Sequence, residues 1–459
     1  MHRQLLSSAI IGASLLFAGQ AFAAGYYVDE QSALRLGDAF SGGSASASDA
    51  SAAYYGPASM ILVRDEVAIN ASAVSVSSRF NGDATTLGGA PIQGTQAKTS
   101  NTDVLPTLYF VKHLDEDLAI GGFINAPYAT SAEFGKQSVA RYQAADSEIT
   151  GIDIGASFAL RVHEKVTIGG SLIAQYLKAK TGVVVDTQAA CLGAEAAGQA
   201  PAGSCAGMFN FDSSQLGSDT YDGYFEMEGH NTVMGFQLGA LVEFTENSRL
   251  GLNYRSEMKH SIAGTASVEF KNDPSSQGFA NAAGLIPANG TGAGRVDMTT
   301  PEVVNLSYFH QLNDLSLQAD LSYTNWTSFQ ELKIESRDSA IKQLTATPTT
   351  HNWRESYRAA LGANYQLNDQ FTVRGGMAFD TTPIRSSQVK ADFPFANYKA
   401  LSLGATYNIN NDMALDVGIQ HTLKQERDIN NLDQSSGTSL NGKMTTEVTS
   451  FALGLRMAI

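Results

Sequence analysis

Read in steps of two, one pattern recurs along the chain. Ile152, Ile154, Ala156, Phe158, Leu160 and Val162 alternate with Asp153, Gly155, Ser157, Ala159 and Arg161. Phe371, Val373, Gly375, Met377 and Phe379 alternate with Thr372, Arg374, Gly376, Ala378 and Asp380. Leu401, Leu403, Ala405 and Tyr407 do so with Ser402, Gly404 and Thr406, and Phe451, Leu453, Leu455 and Met457 with Ala452, Gly454 and Arg456. Each stretch is a strand with one apolar face. Forty-three glycines, 11 prolines, 22 phenylalanines and 17 tyrosines suit many strands and turns rather than a helical bundle. The chain of 459 residues equals two or three soluble domains in length, but all-β barrels of that size form single units.

Alternation alone fits a soluble sandwich or a membrane barrel equally. Connector lengths separate them. Short polar turns stand at Asp115-Glu116-Asp117, Glu164-Lys165, Glu246-Asn247, Asn313-Asp314, Asn368-Asp369 and Asn410 to Asp412. Between them lie long connectors near 81–102, 129–148, 181–229, 271–297, 336–352, 381–398 and 429–444. Turns at one rim and long loops at the other mark an outer-membrane barrel, here of about fourteen antiparallel strands with both termini on the periplasmic side. Tyr128, Tyr176, Tyr254, Tyr323, Tyr365 and Tyr407 sit at strand ends, as girdle residues or as ordinary packing.

The N-terminus fits export. Met1-His2-Arg3, an apolar core from Leu5 to Phe17 and Ala21-Phe22-Ala23 form a signal peptide over residues 1–23. Residues 24–65 lack spanning alternation and are rich in Gly, Ala and Ser, so they are a disordered leader or, as Tyr26, Leu34, Leu36, Phe40, Tyr54 and Tyr55 favour, a plug (hatch) inside a barrel of residues 66–459. A net charge of −15 without a basic patch excludes nucleic acid as partner. Cys191 and Cys205 supply neither a zinc site nor a disulfide framework; in an oxidising compartment they pair as one loop staple.

With the apolar face on lipid, the lumen receives Asp153, Arg161, Glu243, Arg255, Asp320, Arg358, Arg374, Asp380, Asp416 and Arg456, a paired network rather than the one-sign field of a general porin. No HExxH, GxSxG or phosphate loop is present, and no cofactor, metal or catalytic residue is expected. One strand departs from regularity: Leu118–Tyr128 holds Gly121-Gly122 and Pro127, which weaken ladder pairing and mark either a lateral opening or a simple kink before a loop.

Three segments resemble the FadL/TodX family of outer-membrane hydrophobic-compound transporters: SASASDASAAYYGPASM (Ser44–Met60), TPEVVNLSYFHQLNDLSLQADLSYTNWTSFQELKI (Thr300–Ile334) and WRESYRAALGANYQLNDQFTVRGGMAFDTTPI (Trp353–Ile384). The resemblance implies a fourteen-stranded barrel plugged by an N-terminal hatch. It also implies passive uptake of long-chain fatty acids, or of aromatic hydrocarbons, by extracellular capture, hatch movement and lateral release through a kinked third strand. A monomer among outer-membrane lipid and lipopolysaccharide is expected; a porin, a lipase and an adhesin are the competing classes. Where the family carries Asn-Pro-Ala in its hatch, this chain has Gly56-Pro57-Ala58. It ends on Ile459 rather than an aromatic.

For a fatty acid, the resemblance and strand positions nominate Lys178, Lys180, Lys333 and Arg358 as carboxylate partners, the three lysines alternatively meeting lipopolysaccharide phosphates. The connectors at 181–229 and 271–297 resemble the family's capture loops, with Phe209, Phe211, Phe270, Phe279, Leu285 and Ile286 as groove lining or loop packing.

Overall fold

The computed structural model describes residues 25–459 apart from 87–88, 188–194, 196–197, 199–200, 204–216, 218, 220–221, 271–288, 346 and 434–435. Strands dominate: β1 (Glu66–Thr86), β2 (Lys98–His113), β3 (Leu118–Glu133), β4 (Asp146–His163), β5 (Val166–Val185) and β6 (Gly223–Thr245) follow in antiparallel order. The seventh spanning strand runs as Ser248–Arg255 and Met258–Phe270, and the eighth as Gly290–Thr300 and Val303–Leu312, interrupted at Pro301, which has no N–H to donate. Leu315–Thr324, Ser356–Gln366, Phe371–Asp380 and Tyr398–Asn408 come next; Met413–Thr422 continued by Gln425–Asp433 and Thr438–Ala458 complete the wall. Glu66↔Ala458 through Thr86↔Thr438 pair the first strand with the last, closing a 14-strand antiparallel barrel that has no open edge.

The alternation sorts its residues as a membrane demands. Leu172, Met234, Leu361, Leu403 and Leu453 point outward and are exposed, whereas Asp153, Ser157, Arg255, Asp320 and Asp416 point inward and are buried. The short turns stand where expected, and Asn313 takes the left-handed conformation (φ 51°) that asparagine tolerates. At the other rim several connectors are shorter than anticipated: β1 runs on to Thr86 and β2 starts at Lys98, and β3 runs on to Glu133 and β4 starts at Asp146. The stretch 429–444 is mostly a hairpin, Gln425–Asp433 pairing with Thr438–Thr446, and β5 and β6 extend to Val185 and back to Gly223. The extensions keep an apolar inward face, with Val184, Phe225, Met227, Ile429, Leu440 and Met444 buried, and carry the wall beyond the lipid-facing belt.

Residues 25–65 fill the lumen. Their elements are small: α1 (Ala33–Leu36), with Ser32 accepting from the Arg35 N–H, α2 (Ala52–Tyr55), and a 3-10 segment, Pro57–Leu62. Such a segment packs by backbone approach, and the wall meets it with glycines. A Cβ on Gly404 would lie 2.7 Å from the Gly37 Cα, and one on Gly418 2.6 Å from the Ala33 oxygen. Gly169 and Gly239 lie against Pro57 and Ala58, Gly251 against Ser44, and Gly362 and Gly376 against Asp38. Much of the glycine content is therefore the inner surface on which the hatch rests.

Candidate functional site

Three features meet at the extracellular side of the hatch. The first is an aromatic box. Trp326, in a short turn after the ninth strand, lies 5.1 Å (ring centroids) from Trp353, and these are the chain's two tryptophans. Phe329 is 4.6 Å and Phe393 5.3 Å from Trp353. Into this box projects the start of the hatch: Tyr26 sits edge-on to Trp326 at 4.6 Å, to Phe329 at 5.6 Å, and 5.8 Å from Tyr128 of β3. Gly25 adopts φ +77°, and any Cβ there would come within 2.7 Å of both tryptophans. All these rings are buried.

The box has a polar edge. His351 lies 4.6 Å from Phe329 and 5.5 Å from Phe393; burial pushes its pKa down to about 3, helped by the neighbouring Lys390 ammonium, so its imidazole is neutral. Lys390 is buried and paired with Asp433 at 2.8 Å. It belongs to the connector whose Val389, Ala391, Phe393 and Phe395 join the same apolar cluster as Trp326 and Trp353. The His351 Nε2 and both indole N–H groups have no hydrogen-bond partner among the described residues. A buried cation beside a cluster of apolar rings is suited to an amphiphilic acid.

Beneath the box the interior turns polar. Arg255 pairs with Asp153 at 2.6 Å and lies over the Tyr128 ring; Arg358 pairs with Asp29 of the hatch at 2.9 Å and donates to the Ala39 oxygen at 2.6 Å. Asp320 accepts from the Gly43 N–H and from Ser307. A small cavity, lined by Tyr27, Asp29, Asn253, Arg255, Asp320, Arg358 and Asp380, lies between hatch and wall. Two hatch carboxyls share this interior. Burial pushes Glu30 up to about 7, with Asp29 adding to the shift, and burial pushes Asp38 up to about 7 against the opposing charges of Arg35 and Arg374.

The third feature is a gap in the wall. The β2–β3 ladder runs only from His113↔Ala119 to Leu108↔Ile124. Beyond it, β2 stays paired to β1 out to Lys98 and β3 to β4 out to Glu133, so the two strands part. The β3–β4 register shifts between Asn125 and Tyr128. The hatch covers the bared stretch from inside: the Val28 N–H donates to the Pro127 oxygen at 2.9 Å, and the Ala129 N–H to the Tyr26 oxygen at 3.0 Å.

The nominated residues distribute unevenly over these features. Pro127 lies in the gap, but Gly121 and Gly122 are laddered to Val111 and Phe110. Their role is packing: a Cβ on Gly121 would meet the Met60 sulfur at 2.5 Å, and one on Gly122 the Phe110 ring. The irregularity begins four residues later, where Ala126-Pro127 loses its strand partner. Gly56 touches the Ser44 backbone: a Cβ at this position would lie 2.5 Å from the Ser44 Cα, which leaves no room for an asparagine. Pro57 and Ala58 rest on Gly169 and Gly239.

Of the carboxylate candidates only Arg358 is inside. Lys178 pairs with Glu228 at 3.0 Å, Lys180 with Glu226 at 3.0 Å, and Lys333, half exposed, with Glu335 at 3.7 Å, all away from the box. Among the described residues the expected lumen charges pair wall to wall as Asp153–Arg255 and Asp416–Arg456 (2.6 Å each), Arg456 also reaching Glu66 of β1 at 3.7 Å. Arg374 donates to Thr406 at 2.6 Å, Asp380 stands opposite Arg358 in the ladder, and Arg161 has no ion-pair partner among the described residues. The paired network expected of the wall alone is thus broken up by the hatch, which supplies Asp29, Ala39 and Gly43 as partners. Phe270 ends the seventh strand opposite Gly223. Phe209, Phe211, Phe279, Leu285, Ile286, Cys191, Cys205 and residues 1–23, expected to be a signal peptide, lie outside the described residues.

A closed barrel with a lipid-facing apolar belt, plugged from its N-terminus and apolar inside at its extracellular end, defines a class: an outer-membrane channel for hydrophobic compounds. The chain belongs to the outer membrane protein transport protein family (OMPP1/FadL/TodX), whose model matches residues 14–458. It is 28% identical over 433 residues to the long-chain fatty acid transport protein of Escherichia coli K12, covering 92% of this chain and 93% of that one. It is 28% identical over 431 residues to outer membrane protein P1 of Haemophilus influenzae, covering 90% and 88%. The crystal structure of a Pseudomonas aeruginosa FadL homologue superposes with a TM-score of 0.83 at 23% identity, covering 96% of this chain and all of that one (100%). The P. putida toluene transporter TodX gives 0.66 at 17%, covering 95% and 99%.

Proposed function

We propose that this chain carries long-chain fatty acids passively across the outer membrane, by capture at its extracellular loops, occupation of the aromatic box, movement of the hatch and sideways release between β2 and β3. The observation that carries the reading is an apolar box with a buried lysine in its wall. The tail replaces Tyr26 among Trp326, Phe329, Trp353 and Phe393, gaining about 0.8 kcal/mol per buried methylene. The carboxylate takes Lys390 in exchange for Asp433, with neutral His351 as a further hydrogen-bond donor. No bond is made or broken, so no catalytic residue is needed. Lys178, Lys180 and Lys333 then face the outer leaflet, where lipopolysaccharide phosphates are their partners, and the barrel works as a monomer.

The ring-lined box also favours a second reading, uptake of aromatic hydrocarbons, in which Lys390 has no ligand to hold. Uptake of radiolabelled oleate and, separately, toluene by cells lacking their own hydrophobic transporter tests both. Oleate uptake that falls at least fivefold in Lys390→Met is the expected result. Toluene uptake without oleate uptake refutes the fatty acid reading in favour of the second.

A further inference from the structure

Where the β2–β3 ladder stops, one hatch side chain takes over its hydrogen bonds. The Gln31 Oε1 accepts from the Ala126 N–H at 3.0 Å, and its Nε2 donates to the Ala126 oxygen at 2.9 Å and to the Val28 oxygen at 3.2 Å. A primary amide is a peptide group in miniature, so this side chain gives Ala126 both bonds that a residue of β2 would have given. The other side of the gap is held by the same residue's backbone: the Gln31 oxygen accepts from the Thr107 hydroxyl at 3.0 Å and the Tyr109 hydroxyl at 2.8 Å, both on β2. Gln31 is fully buried. One residue therefore bridges β2 and β3 at the point where their ladder stops.

We propose that Gln31 is the latch of the lateral exit: its side chain stands in for the missing strand partner of Ala126, and its release opens the wall to the bilayer. This rests on the lateral-release reading above. Bared backbone polar groups facing hydrocarbon are costly, so the gap stays shut as long as Gln31 remains in place. The latch is coupled to ligand through a short piece of chain. Tyr26 occupies the box, Tyr26 bonds to Ala129 and Val28 to Pro127 on either side of Tyr128, and Gln31 follows three residues after Val28. A ligand that displaces Tyr26 pulls on the strand that carries the latch. Gln31 is thus a positioning residue, acting through the hatch rather than on the ligand.

The test uses the full chain with Cys191→Ser and Cys205→Ser in lipid nanodiscs, with Ala126→Cys as reporter and a membrane-soluble maleimide as probe. Without ligand, Gln31 should leave the reporter protected, and oleate should raise its labelling rate at least tenfold. Gln31→Ala and Gln31→Met should both reach the oleate-stimulated rate without oleate. The methionine keeps the volume and loses the hydrogen bonds, so a Gln31→Met variant that stays protected overturns the proposal, as does a Gln31→Ala variant that labels at the ligand-free rate. Heat-modifiable gel mobility verifies that each barrel is folded. A separate variant, Tyr27→Cys with Tyr128→Cys, fastens the hatch strand to β3 when oxidised. Oleate transport that is equal in its oxidised and reduced forms overturns lateral release itself; transport lost on oxidation and regained on reduction leaves the maleimide assay to judge Gln31 alone.

Discussion

The hatch is held by shape, and the wall glycines allow that shape to be tested. Gly169 on β5 and Gly376 on the Phe371–Asp380 strand stand on opposite walls, and a Cβ on either would lie less than 3.0 Å from hatch backbone: Pro57 and Ala58 in the first case, Asp38 and Ala39 in the second. Backbone atoms cannot rotate away as side chains do, so valine at either site forces the hatch to move. Overpacking of this kind costs about 1–3 kcal/mol per site, and two distant sites add. The pair Gly169→Val with Gly376→Val should therefore weaken seating by about 4 kcal/mol, roughly a thousandfold in the ratio of seated to unseated hatch. The barrel survives, because each glycine keeps its ladder partners, Ala159 and Gly239 for Gly169 and Ser402 and Gly362 for Gly376. The assay is limited proteolysis of residues 25–65 from the periplasmic side, with heat-modifiable mobility reporting the barrel. Cleavage in each single variant and faster cleavage in the pair is the expected outcome. A double variant whose hatch is as resistant as the parent refutes the claim that direct backbone contact with these glycines seats the plug.

Other consequences follow from the same geometry. The carboxyls of Glu30 and Asp38, pushed up to about 7, favour the protonated form in the seated hatch. Their contribution is complete below the ordinary carboxylate range and lost as pH rises through 7, a loss on the order of 3–4 kcal/mol for each group fully ionised. Hatch proteolysis should therefore accelerate from pH 6 to pH 8.5, and Glu30→Gln with Asp38→Asn should remove that dependence; an unchanged slope would disprove the assignment. Tyr26→Ala empties the box of its resident ring, so a fluorescent fatty acid should bind about tenfold more tightly by titration, and equal or weaker affinity would show that Tyr26 does not compete with ligand. Gly56→Asn, which restores the residue usual in the family, should loosen the hatch by about 1–3 kcal/mol because Ser44 occupies the space, measured by the same proteolysis.

The strands and the periplasmic turns were legible because a period of two and polar turn residues are local signals. The contacts that make the site were not. Gly37 and Gly404 mean nothing until two backbones are seen to touch, and glycine writes no period of its own. Trp326 and Trp353 fall inside the segments that resemble the family, yet each stands beside a strand end, where an aromatic reads as a girdle residue. Their scarcity was the available signal: two tryptophans in the whole chain meet in one box. Lys390 lies in a connector whose alternating run, Val389, Ala391, Phe393 and Phe395, forms no strand, whereas Lys178, Lys180 and Lys333 attract notice because they continue recognisable strands, and those strands carry them away from the box. Gln31 could not have been singled out, since its partners are backbone groups of two other strands.

If the ligand is a fatty acid, as proposed, the division of the lumen into an apolar upper part and a polar floor limits where it could go. Directly below the box stand Arg255–Asp153 and Arg358–Asp29, with the cavity between them lined by these charges, Asp320 and Asp380 beside the rings of Tyr27, Phe40, Tyr54 and Tyr55. A tail that entered this region would give up the burial of its methylenes, about 8 kcal/mol for ten of them, and would also strip partners from buried charges. Tyr128 belongs at once to the box, to the lid of the floor through its contact with Arg255, and to the strand that parts from β2. The gap thus opens at the level where the apolar compartment ends. Sideways motion there exchanges aromatic rings for lipid tails with little change in tail solvation, while downward motion does not. Under the proposed mechanism no energy source would be required for direction: a ligand would leave by the exit that keeps it dry, down its concentration gradient.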